Sequence, residues 1–157
     1  MTKPKPTIPG PPRRQAGDHL PTISMTDLEI MAKTVYGEAR GESHDGRVAV
    51  AQTILNRVLA ESWYGDTLAE VCLKPFQFSC WNEDDPNLSK LAKLSLEYSS
   101  IFAECMIACL DVIRSPSNHD PVNGATHYHT KAISPYWAMG KNACAEIGNH
   151  LFYNDVD

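Results

Sequence analysis

At 157 residues, with 43% hydrophobic and 21% charged residues, the chain has the composition of one soluble globular domain. Lys3, Lys5, Arg13 and Arg14 against Asp18 give the first 24 residues a net +3, so the rest carries −8 of the formal total of −5. An acidic body excludes tight nonspecific binding to nucleic acid, and no apolar run approaches the ~18 residues of a membrane helix, so stable membrane insertion is not expected.

Residues 1–24 contain six prolines and almost nothing able to build a core, which predicts a flexible basic arm ahead of a single folded domain at 25–157. The arm lacks the apolar stretch that follows the basic start of a signal peptide, so synthesis in a cytoplasm is expected. Thr26 to Glu29 has the pattern of a capping box, and Leu28, Met31, Ala32, Val35 and Tyr36 then follow at helical spacing, predicting a helix from about Asp27 to Tyr36. Gly37 and Gly41 bracket Glu38, placing it at a helix end near a bend. Ser43 caps a second helix reaching Leu59, whose Val48, Ala51, Leu55 and Val58 stripe is flanked by Ala49, Val50 and Ile54, so this helix should be central and buried.

Thr67 to Glu70 suggests a short third helix, and Lys74 to Trp81 reads as a loop or irregular strand. From about Leu88 to Ile113, Leu91, Leu94, Tyr98, Ile101, Phe102, Cys105, Cys109 and Val112 keep the period of one long amphipathic helix. Gly124 to His129 looks like a strand, Ser134-Pro135 starts a helical turn, and Ala143 to Tyr153 suggests a hairpin around Gly148-Asn149. The pattern is α+β, mainly helical with a small antiparallel sheet, and contains no internal repeat.

The five cysteines are an odd number without a C-x-x-C pair, and Cys105 and Cys109 are expected to be reduced residues on a helix face. Acid-catalysed glycosidic cleavage needs a carboxyl that stays protonated near neutral pH, and burial among apolar groups raises a Glu in that direction. Glu38, following Val35 and Tyr36, has such a neighbourhood. If the helix continued past Gly41, Glu42 would share its face.

These residues also resemble a known family. Tyr36-Gly37-Glu38-Ala39-Arg40-Gly41-Glu42, then Gly46, Val48 to Ala51 and Leu55-Asn56-Arg57-Val58, are similar to the opening of the spore-cortex-lytic and cell-wall hydrolase family. The likeness continues through Pro75 to Trp81, Gly124 to His129, Pro135-Tyr136-Trp137 and Ile147 to Tyr153, covering roughly residues 28 to 154. The resemblance implies a lysozyme-like fold of the lytic transglycosylase type, which cleaves between N-acetylmuramic acid and N-acetylglucosamine in peptidoglycan. It implies Glu38 as catalytic residue. In such enzymes one Glu protonates the leaving oxygen, then takes the proton of the muramoyl C6 hydroxyl as that group attacks C1, giving a 1,6-anhydromuramoyl end without a cofactor.

Glu42 is the candidate second carboxylate of a hydrolytic muramidase, or a structural group holding Arg40 or a backbone amide. Asn56, Gln77, Phe78, Trp81 and Tyr128 are candidate contacts for the glycan strand, while Phe76, Trp137, Phe152 and Tyr153 are expected in the core. Two rival readings stand beside this one. His127, His129 and His150 could form the three-nitrogen site of a zinc amidase, although no His-Glu-x-x-His spacing occurs, and no metal is expected. Alternatively, Glu38 could only bind sugar in a noncatalytic wall-binding module. With no leader expected, a phage endolysin fits better than a spore enzyme, made in the host cytoplasm, acting on the wall as a monomer, with its arm toward anionic envelope surfaces; a bacterial remodelling enzyme is the alternative.

Overall fold

The computed structural model describes residues 22–116 and 118–156, so the basic arm expected at 1–24 lies outside the described residues except at its end. Helix α1 (Met25–Ala39) starts at Ser24, whose hydroxyl accepts from the Asp27 amide at 3.0 Å while the Asp27 carboxylate accepts from the Ser24 amide at 3.0 Å. The capping box is therefore Ser24 with Asp27, not Thr26 with Glu29. The other Asp27 oxygen accepts from the Ala69 amide at 3.0 Å, tying this helix start to the next one but one. Glu29 instead pairs with Lys33 on the surface.

Helix α2 (His44–Leu59) is capped by Ser43 as the sequence predicts, and every residue from Ala49 to Leu55 is buried, so it is surrounded by the rest of the domain. Helix α3 (Leu68–Leu73) is capped by Thr67, and the following segment forms turns with one 3-10 turn at Ser79–Trp81 rather than a strand.

The long helix expected at 88–113 is two helices, α4 (Asn87–Ala92) and α5 (Ser100–Arg114). Ser95 Oγ accepts from the Glu97 amide at 3.2 Å and Ser99 Oγ from the Phe102 amide at 3.1 Å. These serines take backbone amides locally, ending one helix and capping the next despite the unbroken apolar period.

Strands β1 (His127–Thr130), β2 (Ala145–Ile147) and β3 (His150–Tyr153) make an antiparallel sheet in the order β1-β3-β2. The β2–β3 turn is the predicted Gly148-Asn149 hairpin, with Gly148 at φ +56°, and Pro135 precedes a 3-10 turn at Tyr136–Ala138. Helix α1 packs on α2, α3 and α5, and α2 also packs on α5.

This helical cluster buries Met31, Val35, Val50, Ile54, Leu55 and Cys109 completely. A second, smaller cluster of Ala49, Val122, Ala125 and Phe152 joins α2 to the sheet, and Tyr128 packs against both clusters. Cys72, Cys80, Cys105 and Cys109 are free thiols, with Cys105 and Cys109 on the buried face of α5. Phe152 and Tyr153 are core residues as expected, but Phe76 is 89% exposed on a loop where its own φ is +64°, and Trp137 is only half-buried. Among the described residues no helix is long and apolar enough to cross a membrane.

Candidate active site

Glu38 projects from the last turn of α1, the point where that helix meets the 3-10 turn at Ser79–Trp81. Gly37 makes this approach possible: a Cβ there would lie 2.7 Å from Cys80 Cβ. The Glu38 carboxyl accepts hydrogen bonds from the Tyr128 hydroxyl and the Cys80 thiol. Burial pushes it above the ordinary carboxylate range and the Asp85 charge adds to this, while the two donors and the Arg57 cation pull the other way without cancelling it. Burial also holds the Tyr128 hydroxyl protonated, with Glu38 reinforcing it, so Tyr128 acts as a donor. Such a carboxyl keeps its proton to a higher pH than an exposed one, and two donors stand beside the anion it would leave.

Tyr128 also borders a cleft of about 380 Å³, together with Arg57, Lys74, Gln77 and His127. Pro75 and three aromatic side chains, Trp63, Phe76 and Trp137, complete its lining. Trp63 is 55% exposed, and Lys74 Nζ stands 5.0 Å from its ring centroid while donating to its carbonyl. Trp137 stacks obliquely on His127 at 5.3 Å and edge-on to His129 at 5.6 Å.

The structure brings Tyr128 and Gln77 to this cleft but gives other predicted contacts different work. Phe78 is 3% exposed, its ring 5.0 Å from the Arg57 guanidinium, so it is a core residue with no face free for a sugar. Asn56 is committed inside the domain: its Nδ2 donates to Ala125 O at 2.9 Å and Asp120 Oδ2 at 3.1 Å, and its Oδ1 accepts from Gln52 at 3.0 Å. Trp81 packs on the helical core and donates its indole N–H to Thr34 Oγ1 at 2.9 Å. Gln77 spends its amide N–H groups on Val71 O at 2.6 Å and Tyr64 O at 3.3 Å, so it shapes the cleft's edge. Trp63, Phe76 and Trp137 are the cleft aromatics that sequence reasoning missed as contacts, the last two being expected in the core. None stands in a periodic segment, and only the aromatic density around Phe76 hinted at them.

Helix α1 ends at Ala39, so Glu42 does not share a helical face with Glu38. Its carboxylate turns to the β2–β3 hairpin, where Oε1 accepts from the Asn149 amide at 3.3 Å and lies 3.3 Å from His150 Nδ1, without the alignment of a hydrogen bond. Oε2 would lie 2.5 Å from a Cβ at position 148, so the turn needs a glycine both for its positive φ and for this contact. Burial lowers the His150 pKa, with Glu42 opposing. Arg40 bonds instead to Asn87 Oδ1 at 2.9 Å.

The three histidines do not converge. His127 and His129 share one face of β1, whereas His150 pairs across from Thr130 and belongs to the opposite face, edge-on to Tyr128 at 5.0 Å. His129 Nε2 meets the Tyr153 hydroxyl at 2.9 Å and its Nδ1 the Thr130 carbonyl at 2.7 Å. Among the described residues no three His, Cys, Asp or Glu side chains could hold a metal ion together.

Known proteins share this architecture. The chain is 31% identical over 132 residues to a spore cortex-lytic enzyme of Halalkalibacterium halodurans, covering 83% of this chain and 36% of that protein. It thus spans little more than a third of that relative's length. The crystal structure of the catalytic domain of the Bacillus cereus SleB protein superposes with a TM-score of 0.66 at 30% identity, covering 87% of this chain and 98% of that one. The catalytic domain of the germination-specific lytic transglycosylase SleB of Bacillus anthracis gives 0.63 at 31% identity, covering 82% and 94%. The fold is therefore the lysozyme-like fold expected from the resemblance. Residues 41–153 match the Cell Wall Hydrolase family, a match that begins just beyond Glu38 and takes in the hairpin, both histidine faces and the aromatic cleft. Sequence match and fold agree, and the chain belongs to the cell wall hydrolase family.

Proposed function

We propose that this domain cuts the glycan strands of bacterial peptidoglycan between N-acetylmuramic acid and N-acetylglucosamine, as a lytic transglycosylase with Glu38 as acid and base. One observation carries the reading: a carboxyl raised above its ordinary range by burial, hydrogen-bonded to a tyrosine that also lines an aromatic cleft. Family membership and the lytic transglycosylase named among the solved relatives support it.

In the first step Glu38 gives its proton to the glycosidic oxygen, which departs as a hydroxyl while positive charge develops at the muramoyl C1. The Tyr128 hydroxyl and Cys80 thiol donate to the carboxylate left behind. That carboxylate then takes the C6 hydroxyl proton as O6 bonds to C1, closing the anhydro ring and restoring Glu38 to its acid form. Neither water nor a second carboxylate enters, which suits Glu42's engagement at the hairpin, away from Glu38.

Mass spectrometry of fragments released from purified peptidoglycan tests the reading. Wild-type protein should release 1,6-anhydromuramoyl ends, and Glu38→Gln should reduce the rate by about 10²- to 10⁴-fold, the usual worth of a general acid. Reducing muramoyl ends would mean a hydrolytic muramidase, and free stem peptides an amidase. In phage-induced host lysis, the setting expected from the sequence, cells making the chain should lyse when a second agent opens the membrane, and lysis without it would contradict that setting.

A further inference from the structure

Arg57 has a feature the reaction above does not use. It is 7% exposed, its Nε donates to Thr126 O at 2.6 Å, and its guanidinium lies 5.1 Å from the Tyr64 ring centroid and 5.0 Å from that of Phe78. Among the described residues its two terminal nitrogens have no hydrogen-bond acceptor and it forms no salt bridge, yet it borders the cleft. Glu38 acts on this cation only across space, without a salt bridge, and a nearly buried guanidinium left so is costly, so a fold that keeps one open to a cleft has a place for an acceptor from outside.

The cleft's charge is opposite to the chain's. With 19 Asp and Glu against 14 Lys and Arg, the protein is acidic overall, but the cleft lining has Arg57 and Lys74 and no carboxylate. His127 faces the same space. Burial, helped by the Arg57 and Lys141 charges, pushes its pKa down to about 4, so it stays neutral and can accept or donate a hydrogen bond beside the two cations. The amino-sugar backbone of a glycan strand is neutral, and its carboxylates are carried by the substituents of the muramoyl residue.

Building on the glycosidase reading, we propose that this cleft is a carboxylate subsite, in which Arg57 and Lys74 hold an anionic substituent of the muramoyl residue beside the scissile bond. The carboxylate has two sources: the lactyl group of a strand without peptides, or the stem peptide of a substituted one.

Three preparations of glycan strand separate these sources: stem-bearing strands, strands stripped of peptides by an amidase, and stripped strands whose lactyl carboxyls have been converted to methylamides. At low salt the full chain should cut at least one charged form with a kcat/KM about tenfold above that of the neutral form, the scale of one charge-assisted hydrogen bond. Preference for stripped strands assigns the lactyl carboxylate, and preference for stem-bearing strands assigns the stem. Lys74→Gln, on a half-exposed side chain, should narrow the ratio between charged and neutral forms. An unchanged ratio in that variant overturns the two-cation site. Equal rates on all three forms with the wild type overturn the subsite while leaving the glycosidase intact. Cleavage of none overturns the glycosidase reading and the subsite together.

Discussion

The helical half and the sheet half of this domain are held by different forces, and Glu38 lies where they meet. Around α2 the contacts are almost all apolar, with Met31, Val35, Val50, Ile54 and Leu55 fully buried. Around the sheet the apolar cluster is small, and buried and half-buried polar groups carry the order: Asn56 to Asp120 and Ala125, Arg57 to Thr126, His129 to Tyr153, and Glu42 to the hairpin. Apolar packing resists unfolding but is indifferent to small shifts, whereas hydrogen bonds fix positions within tenths of an ångström. The acid comes from the first half and the tyrosine that holds it from the second. The tight core supplies the stability that burying a carboxyl draws down, and the polar half sets the geometry.

The sharpest way to break the comparison is to weaken each side separately. Ile54→Ala removes fully buried volume from α2 and should cost about 2–5 kcal/mol, seen as a lower denaturation midpoint, while the folded fraction keeps its kcat. A similar loss of kcat in folded protein would show that the core, too, tunes the site. Glu42→Ala should cost less, about 1–2 kcal/mol, because it leaves the buried His150 ring and the Asn149 amide of the exposed turn without their neighbour. Activity should fall through hairpin displacement by no more than about tenfold, against the 10²- to 10⁴-fold expected of a catalytic carboxylate. A loss at Glu42 as large as that at Glu38 would make it a second catalytic group.

The same contrast explains what was legible in the sequence. Ser43 and Thr67 cap their helices as read, and the Gly148-Asn149 hairpin forms, because caps and tight turns are decided by neighbouring residues. The position of Glu38 at a helix end was legible from its flanking glycines, and the family resemblance named its chemistry. The division of 88–113 was not: apolar period reports which side faces the core, and α4 and α5 both keep Leu91, Phe102 and Cys109 inward while Ser95 and Ser99 separate them. Partners distant in sequence were illegible as well. Nothing local marks Asn56 as an internal clamp, Phe78 as the floor under Arg57, or Trp63 as a cleft wall, since each role depends on residues tens of positions away.

Placing an acid between these halves ties stability to pH. Glu38 has a folded pKa above its unfolded value of 4.5, so the folded state holds the proton more tightly. Its contribution is fully present below pH 4.5 and is lost as pH rises through the folded pKa. The direct measurement is a pH titration of the Glu38 side-chain carboxyl by carbon-13 NMR in the intact protein, assigned by the signal that disappears in Glu38→Gln. The account predicts a midpoint clearly above 4.5, moving higher still in Tyr128→Phe, which removes a donor to the carboxylate. A midpoint at or below 4.5 would mean a carboxylate already ionised at neutral pH, and would contradict Glu38 as the proton donor.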